Sequence, residues 1–366
     1  MATPNNPFRP TTGASPPELI GRGPVLEAVT EALAAGPGDP GLVTIFTGQR
    51  GVGKTVMLNE SGDVAHRLGW HVVDLTATPG VLMRLDAAIA GLLDSDTPAP
   101  RRRLTGIQVA GLGGVTLQPS PQVATDVRTK LTALLEGRAG PGAPSGLLLT
   151  LDEVHRGVGE ELRELGALSQ HMVREERPFA LAMAGLPAAV SDLLSDDVLT
   201  FMRRADRHVL AALDVMEVAE ALERTFAEAG RDLDPQLSLE AAEASEGYPY
   251  LVQLVGYHIW RNTRGRAVDA TAVRSGIAEA HARLRTLVIE PAVHALSDVD
   301  RDFLRAMAHD DDRSRVSDIA TRMSRDRNYV NFYRRRLLDA QVVEEAGRGY
   351  LRFSLPFLGR YLRELS

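Results

Sequence analysis

The stretch GQRGVGKT, Gly48 to Thr55, concentrates the most specific chemistry in the chain. It satisfies GxxxxGK[ST] at every fixed position, and it follows the apolar run GLVTIF and precedes a helical pattern. Glycines let the backbone wrap so that successive N–H groups face one anion, while the helix that follows directs its positive end at the same point. Gly48, Gln49, Arg50, Gly51, Val52, Gly53, Lys54, Thr55 and Val56 are therefore expected to cradle the phosphates of ATP. Lys54 would neutralise the β and γ phosphates, and the Thr55 hydroxyl would ligate Mg2+. A second motif, LLLTLDEV from Leu147 to Val154, reads as a buried strand ending in two carboxylates. Alone, such an ending is more often an acidic turn. Downstream of a phosphate loop it predicts Asp152 in the magnesium shell and Glu153 orienting or deprotonating the attacking water.

These residues need a parallel sheet to hold them. Apolar runs at Val72 to Leu75, Leu147 to Leu151, Phe179 to Ala184 and Arg207 to Ala211 read as further buried strands, with helical patterns between them, which is the signature of an α/β domain. The segment LTGIQVAGLGGVTLQ, between Arg101 and Pro119, predicts an inserted hairpin around its Gly-Gly pair. From Asp214 the strands stop, and four successive segments place apolar residues three and four apart, which predicts an all-helical second domain. Near Leu296 a third unit begins: helix (Asp298 to Ala308), helix (Val316 to Met323), longer helix (Asp326 to Ala340), then two short strands across Gly347 to Gly349. That order is the order of a winged helix-turn-helix. The expected organisation is an extended arm over 1–17, rich in Pro, Asn and Thr; a nucleotide-binding domain over 18–212; a helical lid over 213–295; and the winged helix over 296–366.

Composition excludes several classes of function. The chain has 366 residues, 44% hydrophobic and 24% charged, with no apolar run of membrane-spanning length. There are no cysteines, so disulfides and thiolate metal sites are excluded, and the nine histidines show no zinc-binding spacing. The opening residues lack the basic and apolar regions of a signal peptide, so a cytoplasmic location is expected. A net charge of -7 argues against coating nucleic acid along the whole chain. Locally the balance reverses: eight Arg face two Asp between Arg313 and Arg336. On a helical wheel Val330, Tyr333, Leu337 and Leu338 share one face, leaving Asn328, Asn331, Arg335 and Arg336 outward. Asn and Arg suit adenine and guanine edges, and Arg348 and Arg352 in the wing suit phosphates, so double-stranded DNA is the expected partner. The alternative is a solvated arginine face on a protein-binding module.

Taken together, these motifs resemble the AAA+ ATPases, in particular the branch around origin-recognition-like initiators and STAND-type signalling ATPases. The box ELIGR, Glu18 to Arg22, resembles the adenine-pocket segment, so Ile20 and Arg22 are implied to line the base. GYPYLVQLVG, Gly247 to Gly256, is similar to the lid motif, which implies Pro249 near the base or ribose. The resemblance implies strand order 5-1-4-3-2, nucleotide-dependent self-association, and an arginine finger supplied to a neighbouring subunit by Arg203 or Arg204 in FMRRADRHV. Two departures bear on turnover. AMAGLP places Gly185 and Leu186 where the family carries a polar γ-phosphate sensor, and Tyr250 stands near the place of the lid arginine. The resemblance thus implies a slow ATPase coupled to DNA binding or remodelling, or alternatively a STAND-like switch or scaffold whose winged helix binds protein.

Overall fold

The structure is a computed structural model, and it describes residues 5–11, 13–94, 121–136, 145–155, 158–195, 200–340 and 342–365. By contact the chain divides into two compact units. A sheet unit comprises 22–48 and 53–211; a helical unit comprises 1–21, the phosphate-loop tip 49–52, and 212–366.

In the sheet unit, α1 (Gly23–Ala35) leads through a short turn into β1 (Val43–Thr47). Then follow α2 (Lys54–Arg67), β2 (His71–Thr76), α3 (Val81–Asp94), α4 (Pro121–Glu136), β3 (Leu147–Val154), α5 (Gly159–Arg174), β4 (Phe179–Gly185), α6 (Pro187–Ser195) and β5 (Asp206–Val209). All pairings are parallel, and the order β2-β3-β4-β1-β5 is the expected 5-1-4-3-2 seen from the other edge. Burial explains the sequence patterns. Phe179 to Gly185 in β4 and Leu147 to Leu151 in β3 are buried at every position, because helices cover both faces of central strands. Edge strand β5 alternates in exposure and begins one residue earlier than its apolar pattern suggests, ending at Val209. The buried carboxylate of Glu161, on α5, accepts from the N–H groups of Gly80 (3.0 Å) and Leu82 (3.3 Å), so a distant side chain caps the start of α3. The hairpin expected between Arg101 and Pro119 lies outside the described residues.

The helical unit contains α7 (Val215–Glu228), α8 (Pro235–Ser245), α9 (Pro249–Asn262), α10 (Ala270–Leu284), a π turn at Arg285–Ile289, and α11 (Glu290–His294). Next come α12 (Asp298–Met307), β6 (Ser314–Arg315), α13 (Val316–Met323), α14 (Arg327–Asp339), β7 (Val343–Glu345), β8 (Tyr350–Phe353) and α15 (Leu358–Glu364). Side-chain caps mark most starts: Asp214, Asp234, Asp269 and Asp326 each accept from first-turn N–H groups, and Ser297 with Asp300 forms a capping box. In the stretch from α12 onward the three helices α12, α13 and α14 and the two strands β7 and β8 fall in the order read from sequence, joined by a short strand β6 and a final helix α15, with an antiparallel sheet β6-β8-β7.

One continuous core runs from α7 to α15, so the segments read separately as lid and winged helix share buried contacts. The N-terminal arm joins it. Phe8 is buried, its ring 5.3 Å from that of Phe226, and Gly256 leaves the space that Phe8 fills. Asn6 donates to the Tyr257 carbonyl at 3.1 Å. A segment too polar to fold alone is thus ordered by one aromatic anchor and its flanking hydrogen bonds.

Gly247 has φ +67°, and a Cβ there would overlap the Leu213 carbonyl oxygen, while the Leu213 N–H donates to the Gly247 carbonyl at 2.8 Å. Gly247→Ala combines a left-handed backbone with a backbone clash. It should cost about 2 kcal/mol and lower the thermal unfolding midpoint by about 4–8 °C, read by circular dichroism.

Candidate functional site

The phosphate loop leaves β1 and enters α2 through Gly53, the N-cap, at φ +95°; Gly51, two residues earlier, stands at φ +75°. Only glycine adopts both values without strain, and the helix has no side-chain cap. The first turn of a helix offers N–H groups that its own backbone does not use, so a helix start behind a glycine loop suits a phosphate. Lys54 folds back on the loop, its Nζ donating to the Gly48 carbonyl at 3.0 Å. Val52 is buried beneath the loop, and Val56, half-buried, lies in the first turn of α2.

Across from the loop, Thr55 donates its hydroxyl to Asp152 Oδ2 at 2.6 Å, and Asp152 Oδ1 accepts from the Glu153 N–H at 2.8 Å. The sequence-predicted magnesium pair thus meets side by side. A hydroxyl and a carboxylate are hard oxygen donors, and Mg2+ takes one or two such protein ligands with phosphates and water completing its octahedron, so the residues present fit that ion. Glu153 is exposed, with φ +57°. A non-glycine residue in this region stores about 1–3 kcal/mol of strain, which clusters at functional positions. The cause is local: the β3–β4 register shifts between Leu151 and Val154, and this bulge turns Glu153 away from the ladder at the strand's carboxyl end.

Gly185 ends β4 opposite Thr47 and Val154. A Cβ there would sit 3.1 Å from Val190 Cγ2 and 3.2 Å from the Val154 carbonyl oxygen. A side chain at Gly185 would thus be tight, requiring Val154 and Val190 to give by a few tenths of an ångström. Arg203 and Arg204 are exposed in a short turn before β5, and Arg203 Nε donates to the Leu194 carbonyl at 2.8 Å. Arg22 caps α1 and donates to the Ala211 carbonyl at 2.6 Å. In the helical unit, Ile20 packs on the core and Pro249 is the first residue of α9.

The tip of the phosphate loop makes contacts that the motif alone does not disclose. Gln49 Nε2 donates to Glu344 Oε1, in β7, at 3.0 Å, and Glu344 is also paired with Arg352 of β8. Tyr248, 5% exposed, lies against Gly51, where any Cβ would overlap its phenol. Burial, reinforced by neighbouring Tyr250 and opposed by Arg50, pushes the Tyr248 phenol up to about 12, so it remains a neutral hydroxyl across the working pH range. Tyr248 borders the predicted Pro249 in GYPY, a signal within one residue; Glu344 in VVEE gave none.

On α14, Val330 and Leu337 are buried and Tyr333 and Leu338 partly so, while Asn328, Asn331, Arg335 and Arg336 are exposed. Arg336, read as facing outward, has its guanidinium on Asp300 Oδ2 at 2.8 Å, and Asp300 is buried. Its charge is committed to the domain's own interior. Arg352 is similarly held by Glu344, and Arg348 at the wing tip is exposed.

Sheet order, phosphate loop and carboxylate strand define an AAA+ fold of the ORC/Cdc6 kind. The chain is similar to the Walker-type ATPase PABY2304 of Pyrococcus abyssi, with 17% identity over 97% of this chain and 98% of that one, and a TM-score of 0.66. It is also similar to the ORC2 protein of Aeropyrum pernix, solved in ADPNP–ADP complexes, with 17% identity, 97% and 95% coverage and a TM-score of 0.60. Cdc6p of Pyrobaculum aerophilum follows at 16% identity, 97% and 96% coverage and a TM-score of 0.51. At these identities the likeness is one of fold. A family model described as a domain of unknown function (DUF8462) matches residues 287–362, and no curated protein matches the chain. Among the described residues no helix is long and apolar enough to cross a membrane.

Two substitutions test the site. Lys54→Ala removes the point charge over the loop and should reduce ATP affinity by a factor of 100 or so, measured with a fluorescent analogue, given the roughly 1.5–3 kcal/mol of one charge-assisted contact. Glu153→Gln should leave that affinity intact and lower turnover by about 10²–10⁴, the usual worth of a general base. Equal turnover in variant and parent would remove Glu153 from this role.

Proposed function

We propose that the chain is an ATP-binding AAA+ ATPase that hydrolyses ATP slowly and uses nucleotide state to control DNA binding by its winged helix. The observation that carries this reading is the hydrogen bond from Gln49 of the phosphate loop to Glu344 of the wing, because it joins the segment that would hold phosphate to the segment that would hold DNA. Backbone N–H groups of 49–55 and Lys54 bind the phosphates. Thr55 and Asp152 would hold Mg2+, which neutralises charge on the β and γ oxygens when bound. Glu153, turned outward by its bulge, orients or takes a proton from water. The tight space at Gly185 supports slow turnover, since there is no side chain there to follow the γ phosphate. Arg203 and Arg204 supply the missing charge in trans if subunits associate on nucleotide binding.

DNA recognition rests on Asn328, Asn331 and Arg335 toward base edges and Arg348 and Arg352 toward phosphates. Arg352 gives the coupling a route: when it turns to a DNA phosphate, Glu344 loses one of its two donors and its hold on Gln49 changes. Affinity for nucleotide and for DNA are then linked, and each must alter the other by the same factor. One specific observation favours the rival reading, a switch whose winged helix binds protein. Arg334, Arg336 and Arg352 are all paired within the helical unit, to Glu345, Asp300 and Glu344, which leaves fewer guanidinium groups for phosphates than the sequence suggests.

The test is duplex binding by the intact protein at two salt concentrations, with ATP, with ADP and without nucleotide. Binding that weakens with salt and differs between ATP and ADP is expected. Glu344→Ala should retain duplex affinity within a few-fold while removing the difference between nucleotides. Absence of binding at low salt with ATP would transfer the reading to the protein-binding switch.

A further inference from the structure

One side chain on the outward face of α14 is used neither by the core nor by the charge pattern. Phe332 is 60% exposed, and every other phenylalanine among the described side chains is buried or half-buried. It stands four residues after Asn328, beside Asn331, and three residues before Arg335, so helical geometry puts the four on one face. Leaving such a ring in water forgoes the stabilisation that burial would bring; a lone exposed apolar side chain is ordinary, and what singles this one out is its place among the Asn and Arg side chains of the same face.

The ring is held in place from beneath. Tyr333 meets it edge-on at 5.2 Å and is itself in tilted contact with Tyr329, ring centroids 4.9 Å apart. Arg336, fixed by Asp300, lies over the Tyr333 ring at 5.6 Å, and Arg325 lies over Tyr329 at 5.0 Å. Phe332 therefore projects from a braced aromatic base. Its surroundings select the kind of partner. Arg325, Arg327 and Arg335 are exposed nearby, and the carboxylate of Asp326 is occupied in capping α14 through Asn328 and Tyr329 N–H groups. An apolar ring ringed by guanidinium and carboxamide groups complements an anionic partner that carries one small apolar group at the same depth as its hydrogen-bonding edges. In the major groove of DNA that group is the C5-methyl of thymine.

We propose that Phe332 is a specificity-determining residue that packs on a thymine methyl group in the major groove of duplex DNA. The inference rests on the DNA-binding reading and adds to it the identity of one base and the side chain that reads it.

The experiment uses the full chain with ATP and a pool of random-sequence duplexes, the bound fraction being sequenced for the parent and for Phe332→Ala. The parent should enrich thymine at one position of its site, and Phe332→Ala should not. The selected duplex is then remade with deoxyuridine, which lacks only the methyl group, at that position. The parent should bind it about fourfold more weakly, the factor expected from burying one methyl-sized group, and Phe332→Ala should bind both duplexes alike. Because Phe332 touches little of the core, unchanged thermal unfolding of the variant verifies that the fold is intact. DNA binding with no thymine preference, or with equal affinity for thymine and deoxyuridine, overturns the inference and leaves the DNA reading standing. No binding of the pool at low salt ends both.

Discussion

The carboxylate of Asp152 is the point on which the candidate site turns. One oxygen takes the Thr55 hydroxyl and the other the Glu153 N–H, so a single side chain ties the first turn of α2 to the end of β3 and fixes the next residue. That arrangement requires β3 beside β4 and β4 beside β1, because only then does the loop that follows β1 reach the carboxyl end of β3. It also requires the register shift after Leu151. A regular strand would continue its alternation and return Glu153 to the ladder. Position, orientation and strain at the site are thus three consequences of one strand ending irregularly where two carboxylates occur.

The helical unit depends on a different device, the sharing of one core among segments that are short and polar when taken alone. Phe8 contributes an aromatic anchor from the arm, Gly247 and Gly256 leave room for close approach, and α12 is locked to α14 by Asp300 and Arg336. The last of these shows an exposed arginine of α14 drawn into the packing of its own unit. Asp300 accepts from Ser297 and Arg336 together, and removing the arginine would leave a buried carboxylate without its counter-charge, the costly half of a broken buried pair. Arg336 therefore belongs to the packing between α12 and α14, where its guanidinium also lies over the Tyr333 ring.

Much of this was legible in the residues because the informative patterns were periodic or fixed in spacing. Strand runs at Val72, Leu147 and Phe179, the helix Val316–Met323 and the phosphate loop all follow from apolar period or motif. With the family resemblance, the same patterns implied the strand order. What escaped was set by contacts distant in sequence. Glu344 lies 295 residues from Gln49, and nothing in VVEE distinguishes it from a solvated turn. The helical wheel placed Arg336 outward correctly as an angle, yet the long side chain bends back to a carboxylate thirty-six residues away, which no wheel records. The left-handed backbone of Glu153 escaped for a related reason: conformation at a bulge is decided by the neighbouring strand and not by the residue that adopts it.

Those internal pairings change what the basic stretch means. Counting eight arginines against two aspartates treats every charge as available, whereas Arg322, Arg334 and Arg336 are spent on Asp310, Glu345 and Asp300. Each such pair cancels a charge that would otherwise release counterions from a duplex, so one winged helix of this kind should grip phosphate weakly and show a shallow salt slope. The rest of the chain, acidic on balance, opposes the same contact. Useful affinity must then come from elsewhere: from groove contacts that do not depend on net charge, or from several copies engaging one duplex together. Nucleotide-driven association would supply the second through effective concentration, which multiplies weak single contacts without adding any new one. The same pairings that favour the protein-binding alternative would, on the DNA reading, make binding depend on such association.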